Sequence, residues 1–122
     1  MAEHSDLGKK GEDIATRYLA GKGYQIIERN WRTGKDEIDI IAEKDKKLII
    51  VEVKTRSTSS YGEPEESVTI HKQRFLIRAA NEYVNSKEVD NEIRFDIISI
   101  IIESNKQTIR HIEDAFYPTL QE

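Results

Sequence analysis

The segment from Glu37 to Lys54 constrains the fold more than any other part of the chain. It reads Glu-Ile-Asp-Ile-Ile-Ala, then a charged join around Lys44-Asp45-Lys46-Lys47, then Leu-Ile-Ile-Val-Glu-Val-Lys. Two Ile- and Val-rich arms about a short polar join form the pattern of a β-hairpin. Its unusual property is charge set inside apolar arms. Alternate residues of a strand share a face. Glu37, Asp39 and Ile41 are therefore expected on one face of the first arm, and Ile50, Glu52 and Lys54 on one face of the second. A turn symmetric about Asp45-Lys46 puts Glu43 opposite Leu48, Asp39 opposite Glu52 and Glu37 opposite Lys54. Opposed residues have Cβ atoms about 4.5–5.5 Å apart, and like charges at that spacing destabilise a sheet. A divalent cation between the two acids reverses the sign of that interaction and keeps both ionised. The rival reading is a polar sheet edge, with a Glu37–Lys54 cross-strand ion pair and Asp39 and Glu52 solvated.

The rest of the chain supplies elements that enclose such a hairpin. Ser5 to Lys22 has Leu7, Ile14, Tyr18 and Leu19, with Gly11 and Ala15, in a stripe at helical spacing, with Ser5 or Asp6 to cap it and Gly21-Lys22-Gly23 to end it. Glu12 lies at the border of that apolar stripe, where the plain expectation is a solvated carboxylate. Tyr24 to Trp31 reads as a first strand, and Arg32 to Asp36 as the turn into the hairpin, so three successive strands make an antiparallel meander. Arg56 to Glu66 is a Ser-, Gly- and Pro-containing loop. It begins just after Lys54, where Arg56 and Tyr61 are placed to touch phosphate or sugar. Ser67 to Ser86 repeats Phe75, Ala79, Tyr83 and Leu76, Ala80, Val84 at helical spacing. His71, Lys72, Arg74 and Arg78 give this second helix a basic face. Cations near a helix N-terminus are unfavourable to the helix, which hints at an anionic partner. Lys87 to Glu92 is a polar connector. Arg94 to Ile102 is a buried strand that joins the sheet parallel to an earlier one. Ser104 to Gln107 is a turn, and Ile109 to Glu113 a fifth, edge strand.

Length and composition bound the possibilities. The 122 residues are enough for a single domain with one core. No apolar run approaches the roughly 18–20 residues of a membrane span, so no membrane partner is expected. The chain has no cysteine, which excludes disulfides and thiolate zinc sites and fits a reducing cytoplasm. The start lacks the basic and apolar regions of a secretory signal. His4, His71 and His111 have no paired spacing that suggests zinc. Net charge is -4, which argues against a nucleic-acid partner until the halves are separated. Residues 1–61 carry 12 Lys and Arg against 11 Asp and Glu, and residues 62–122 carry 7 against 12. With Glu12, Asp39 and Glu52 neutralised by a metal, the first half presents a positive surface, and phosphate responds to local field rather than to total charge.

The residues that can carry chemistry are Asp39, Glu52 and Lys54, with Glu12 as a fourth. Hydrolysis of a phosphodiester needs stabilisation of developing charge, an activated water and a neutralised leaving oxygen. Mg²⁺ (or Mn²⁺) takes oxygen ligands and keeps several waters. Asp39 and Glu52 supply two such ligands, the Val53 carbonyl a third, and Glu12 holds a metal water. Lys54 is expected to orient or deprotonate the attacking water, or to contact phosphate.

Several blocks occur in order along the chain: Gly11-Glu12-Asp13-x-Ala15 with Tyr18-Leu19, Asn30-Trp31-Arg32, Glu37-Ile38-Asp39-Ile40-Ile41-Ala42, Val51-Glu52-Val53-Lys54-Thr55-Arg56, Gly62-x-Pro64, Lys72, and Arg94-Phe95-Asp96-Ile97-Ile98. Together they resemble the YraN-like family of small bacterial proteins. That family is similar to Holliday-junction resolvases and is placed in the PD-(D/E)XK, or restriction-endonuclease-like, superfamily. The resemblance implies an α/β fold with an α-β-β-β-α-β core, a central mixed sheet flanked by helices, and a metal-dependent nuclease site. It makes Asp39 the metal aspartate, Glu52 and Lys54 the Glu-x-Lys pair, and Glu12 the helix-borne acid. Family members often have Gly before the Glu-Ile-Asp block, where this chain has Asp36. The expectation is a Mg²⁺-dependent endonuclease acting on DNA, on branched or damaged structures, with Arg32, Arg56, Lys72 and Arg74 contacting nucleic acid. A homodimer is expected by analogy with resolvases, whose substrate has two equivalent strands. The rivals are a protein that grips nucleic acid without cutting it and an interaction module of a DNA-processing complex.

Overall fold

The computed structural model describes residues 5–57 and 68–117. The element order is α1 (Asp6–Gly21), β1 (Gln25–Thr33), β2 (Asp36–Lys44), β3 (Lys47–Arg56), α2 (Ile70–Lys87), β4 (Glu92–Glu103) and β5 (Lys106–Phe116). This is the expected α-β-β-β-α-β core with the fifth strand. His4, Tyr61 and the Gly62-x-Pro64 block lie outside the described residues, as does Ser67.

Both helices start at hydroxyl caps. The Ser5 Oγ accepts the Gly8 N–H at 3.0 Å, and the Thr69 Oγ1 accepts the Lys72 N–H at 3.2 Å. α2 therefore begins at Ile70 rather than at Ser67 as expected, because Thr69 is extended and its hydroxyl takes an N–H of the first turn. β5 is longer than the expected Ile109–Glu113, and the turn before it is confined to Ser104-Asn105.

The five strands lie in sequence order in one sheet. β1, β2 and β3 form the antiparallel meander. β4 returns after α2 to run parallel to β3 from Lys47–Glu92 to Arg56–Ile101, and β5 pairs antiparallel to β4. The sheet separates the helices. Ile14, Ala15 and Leu19 of α1 cover Ile40, Ala42, Ile49, Val51, Ile98 and Ile100. Leu76, Ala79, Ala80 and Tyr83 of α2 cover Ile38, Ile41, Leu48, Ile50, Phe95 and Ile97 on the other face. With both faces covered, β3 and β4 are buried through their middles, as parallel neighbours usually are.

The β2–β3 turn has the expected symmetry. Asp45 and Lys46 both have positive φ, 53° and 67°, the twist that suits a two-residue hairpin. The register runs Lys44–Lys47, Glu43–Leu48, Ala42–Ile49, Ile41–Ile50 and Ile40–Val51. There it stops, one rung short of Asp39 and Glu52. Face alternation also slips at this point, since Ile38 joins the α2 side with Ile41 while Ile40 and Ala42 join the α1 side. On the β1 side, Asn30 lies between the Arg29–Ile40 and Trp31–Ile38 rungs with φ 53°. The strands thus deform around Asp39 and part beyond Ile40–Val51. Strict alternation in the first arm, expected from sequence, does not hold because the backbone is irregular there.

Candidate functional site

The fork between β2 and β3 is where the acids gather. Asp39, Glu52, Val53, Lys54 and Thr55 line a cavity of about 260 Å³, together with Glu12, Ser5, Leu7 and Gly8 of the start of α1. In place of the missing rung, the Asp39 Oδ2 accepts the Val53 N–H at 2.8 Å. The side chain thus satisfies a backbone donor that the parted strand no longer can. The expected pairing of Glu37 with Lys54 does not form. Glu37 lies 3.9 Å from Arg32 instead, and the Lys54 Nζ lies 3.7 Å from the Glu52 Oε2. The register ends before that pair would have met.

Glu12 is buried, at 5% exposure, and not a solvated helix carboxylate. Its depth follows from Gly11. A Cβ on Gly11 would stand 2.8 Å from the Thr55 Cβ and closer still to the Thr55 hydroxyl. Only a residue without a side chain lets α1 approach β3 this closely. The Arg29 guanidinium is 3.9 Å from Glu12 and 2.9 Å from Asp13.

From the opposite face of the sheet, α2 sends Lys72 to the fork. Its Nζ lies 3.7 Å from the Glu52 Oε2, the oxygen that Lys54 also approaches. None of the described residues expected to touch nucleic acid, Lys72 included, lines the cavity itself. Arg32 is exposed on β1, Arg56 ends β3, and Arg74 is exposed on α2. Asp36 is gripped by Arg78 through two hydrogen bonds of 2.9 and 3.1 Å, so its charge is matched rather than left open beside the site.

Electrostatics at the fork are strained. Burial, and then repulsion from Glu52, push the Asp39 carboxyl well above the usual carboxylate range, against the Val53 hydrogen bond that pulls it down. Burial also raises Glu52, with Lys72 and Lys54 opposing. A half-buried and a buried carboxylate that resist ionising together are a donor set that suits a divalent cation, which favours the ionised form of both. Among the described residues no group of three or more His, Cys, Asp or Glu side chains forms a ready metal cage. Mg²⁺ does not need one, since it commonly takes one or two carboxylates and completes its shell with water and substrate phosphate. Asp39 and Glu52 fit that mode, with Glu12 facing the same cavity.

The fold and the fork define a class: an α/β protein whose mixed five-stranded sheet opens onto an acidic cleft flanked by lysines. The model of the Uncharacterised protein family UPF0102 matches residues 11–100, and the chain belongs to that family, the YraN-like one its motifs resemble. It is 54% identical over 117 residues to the UPF0102 protein of Flavobacterium psychrophilum, covering 96% of this chain and 98% of the relative. It is 48% identical over 120 residues to that of Phocaeicola vulgatus and 49% identical over 120 residues to that of Bacteroides thetaiotaomicron. Each of these alignments spans 98% of this chain and 99% of the relative. Among the described residues no helix is long and apolar enough to cross a membrane.

Three features of the fork had little sequence signal. The Lys72–Glu52 approach joins residues brought together only by the crossover. The Val53 N–H bond to Asp39 depends on the parting of strands. The Gly11–Thr55 contact was foreshadowed only by a small residue in the apolar stripe of α1.

Proposed function

We propose that this chain is a Mg²⁺-dependent endonuclease that hydrolyses DNA phosphodiesters, on branched or damaged structures, in the cytoplasm and as a symmetric dimer. The observation that carries the reading is the pairing of Asp39 with Glu52 at the fork, two acids whose joint ionisation calls for a cation, with two lysines beside them. Asp39 and Glu52 would hold the ion, with the Val53 carbonyl and Glu12 completing its surroundings. Mg²⁺ in that position supplies electrostatic stabilisation of the charge that develops on the phosphoryl oxygens. Lys54 orients the attacking water. The start of α1, at the rim of the cavity, adds the positive end of a helix dipole. Arg32, Arg56 and Arg74 extend the grip along the nucleic-acid backbone.

A second reading, DNA binding without cleavage, rests on the exposed arginines Arg32 and Arg74, which can grip phosphate with no chemistry at the fork. Cutting of labelled linear and branched DNA with Mg²⁺ or Mn²⁺ separates the two. Asp39→Ala and Lys54→Ala are each expected to lower the rate by about a hundredfold or more. Equal residual cutting by wild type and both variants points to a contaminant and removes the enzyme reading. Retained binding at low salt then leaves the binding-only protein.

A further inference from the structure

We propose that Lys72 is a built-in counter-ion to Glu52 that a divalent cation must displace, and that its release couples cation binding to phosphate binding. The inference rests on the reading of the fork as a cation and phosphate site, and adds a regulatory role for one residue on the far side of the sheet.

Glu52 is only 5% exposed, and a carboxylate taken out of water needs compensation. Two ammonium groups supply it. The Nζ atoms of Lys54 and Lys72 each lie 3.7 Å from the same oxygen, Oε2. Lys54 comes from the same strand, whereas Lys72 comes from α2. The first turn of α2 contains no acidic residue, and positive charge there opposes the helix dipole. Glu52 therefore supplies the attraction that α2 itself denies Lys72. The contact is attractive but not locked, because 3.7 Å exceeds the roughly 2.7–2.9 Å of a charge-assisted hydrogen bond. The Lys72 side chain is 39% exposed, so its long stem has room to swing.

A divalent cation taken up by Glu52 reverses the field at the Lys72 ammonium from attraction to repulsion. Lys72 is then driven outward, toward the solvent side from which a phosphodiester approaches. Displacing it costs cation affinity in the free protein. A phosphate that captures the released ammonium recovers that cost. Coupling of this kind is reciprocal, so cation and phosphate each tighten the binding of the other.

The test is direct titration of Mn²⁺ into the full chain by calorimetry, with and without a short DNA duplex carrying non-hydrolysable linkages. The proteins are wild type, Lys72→Met, Lys72→Arg and Glu52→Gln. Lys72→Met is expected to bind Mn²⁺ about three- to tenfold more tightly than wild type at low salt, with the gap closing as salt screens the repulsion. Lys72→Arg is expected to track wild type. DNA is expected to tighten Mn²⁺ binding in wild type and to do so less in Lys72→Met. A residue with only a structural role would not improve metal affinity on removal. Equal or weaker Mn²⁺ binding by Lys72→Met, with wild type binding through Glu52, overturns the inference alone. No Mn²⁺ binding by either protein, or binding unaffected by Glu52→Gln, overturns the inference and the metal reading of the fork together.

Discussion

The molecule sets an acid into its sheet in two places by the same backbone device, with opposite electrostatic results. At the fork, Asp39 sits where the β2–β3 ladder stops and accepts the N–H of Val53 at 2.8 Å. On β4, Asp96 sits where the β4–β5 register shifts and accepts the N–H of Asp114 at 3.0 Å. What surrounds the two acids differs. Asp96, at 1% exposure, also receives two hydrogen bonds from Arg94, at 2.9 and 2.8 Å, and lies 2.7 Å from the His111 Nε2. The His111 Nδ1 lies 3.1 Å from the Tyr18 hydroxyl, and Arg94 donates to the Tyr24 hydroxyl at 2.8 Å, so the network closes on itself. Burial opposes ionisation of Asp96, but hydrogen bonds from His111, Arg94 and the Asp114 N–H outweigh it and hold the carboxyl below its usual range. At the fork the balance goes the other way. A buried acid supplied with every partner is a fastener. A half-buried acid set against a second acid, where burial and mutual repulsion oppose joint ionisation, is the reverse arrangement.

The contrast can be broken most forcefully at Asp96. Asp96→Asn leaves Arg94 and His111 without their shared anion and is expected to cost about 3–5 kcal/mol in urea unfolding. A cost below about 1 kcal/mol would mean the network is not the fastener described. Next in size is Gly11→Ala, which forces α1 away from Thr55 and should cost about 1–3 kcal/mol. Adding Thr55→Ala to it removes the hydroxyl and methyl in the way and should recover part of that loss. Strictly additive costs would deny the contact. The smallest effect has the opposite sign. Asp39→Asn, measured without metal at mildly alkaline pH, should stabilise the chain by about 1 kcal/mol, because it removes one of two opposed charges.

The pH dependence sharpens the same contrast. The Asp39 carboxyl is raised in the fold, so its contribution is full below its unfolded value near 4 and is lost as pH rises through the folded value. Asp96 is lowered, so its contribution is present above that unfolded value and is lost as pH falls through the folded one. The gain from Asp39→Asn should therefore grow with pH, while the cost of Asp96→Asn should shrink in acid. Parallel curves for the two variants would remove the distinction.

Much of this could be read from the amino-acid order. Alternating apolar arms located the meander. The paired turn residues fixed the register as far as Ile40–Val51, because a two-residue turn leaves it little freedom. The apolar stripes marked both helices. What stayed hidden depends on long-range placement. Nothing local says that the hairpin parts at Asp39, since that deformation involves β1 as well. The meeting of Lys72 with Glu52 requires knowing where the crossover sets α2 down. His111 gave no sign of a partner because Asp96 lies fifteen residues away on the neighbouring strand, at the far end of the hairpin where the register shifts.

The parallel pairing of β3 with β4 has a consequence for the chain as it leaves the ribosome. The hairpin of β2 and β3 is complete once Arg56 has emerged, yet the strand that covers the outer side of β3 begins only at Glu92. Until then Leu48 to Val51 present an unsatisfied apolar border on which a second nascent chain can template. Glu52 and Lys54 close that border with charge, so the residues proposed to do chemistry in the finished protein also guard its birth against clumping.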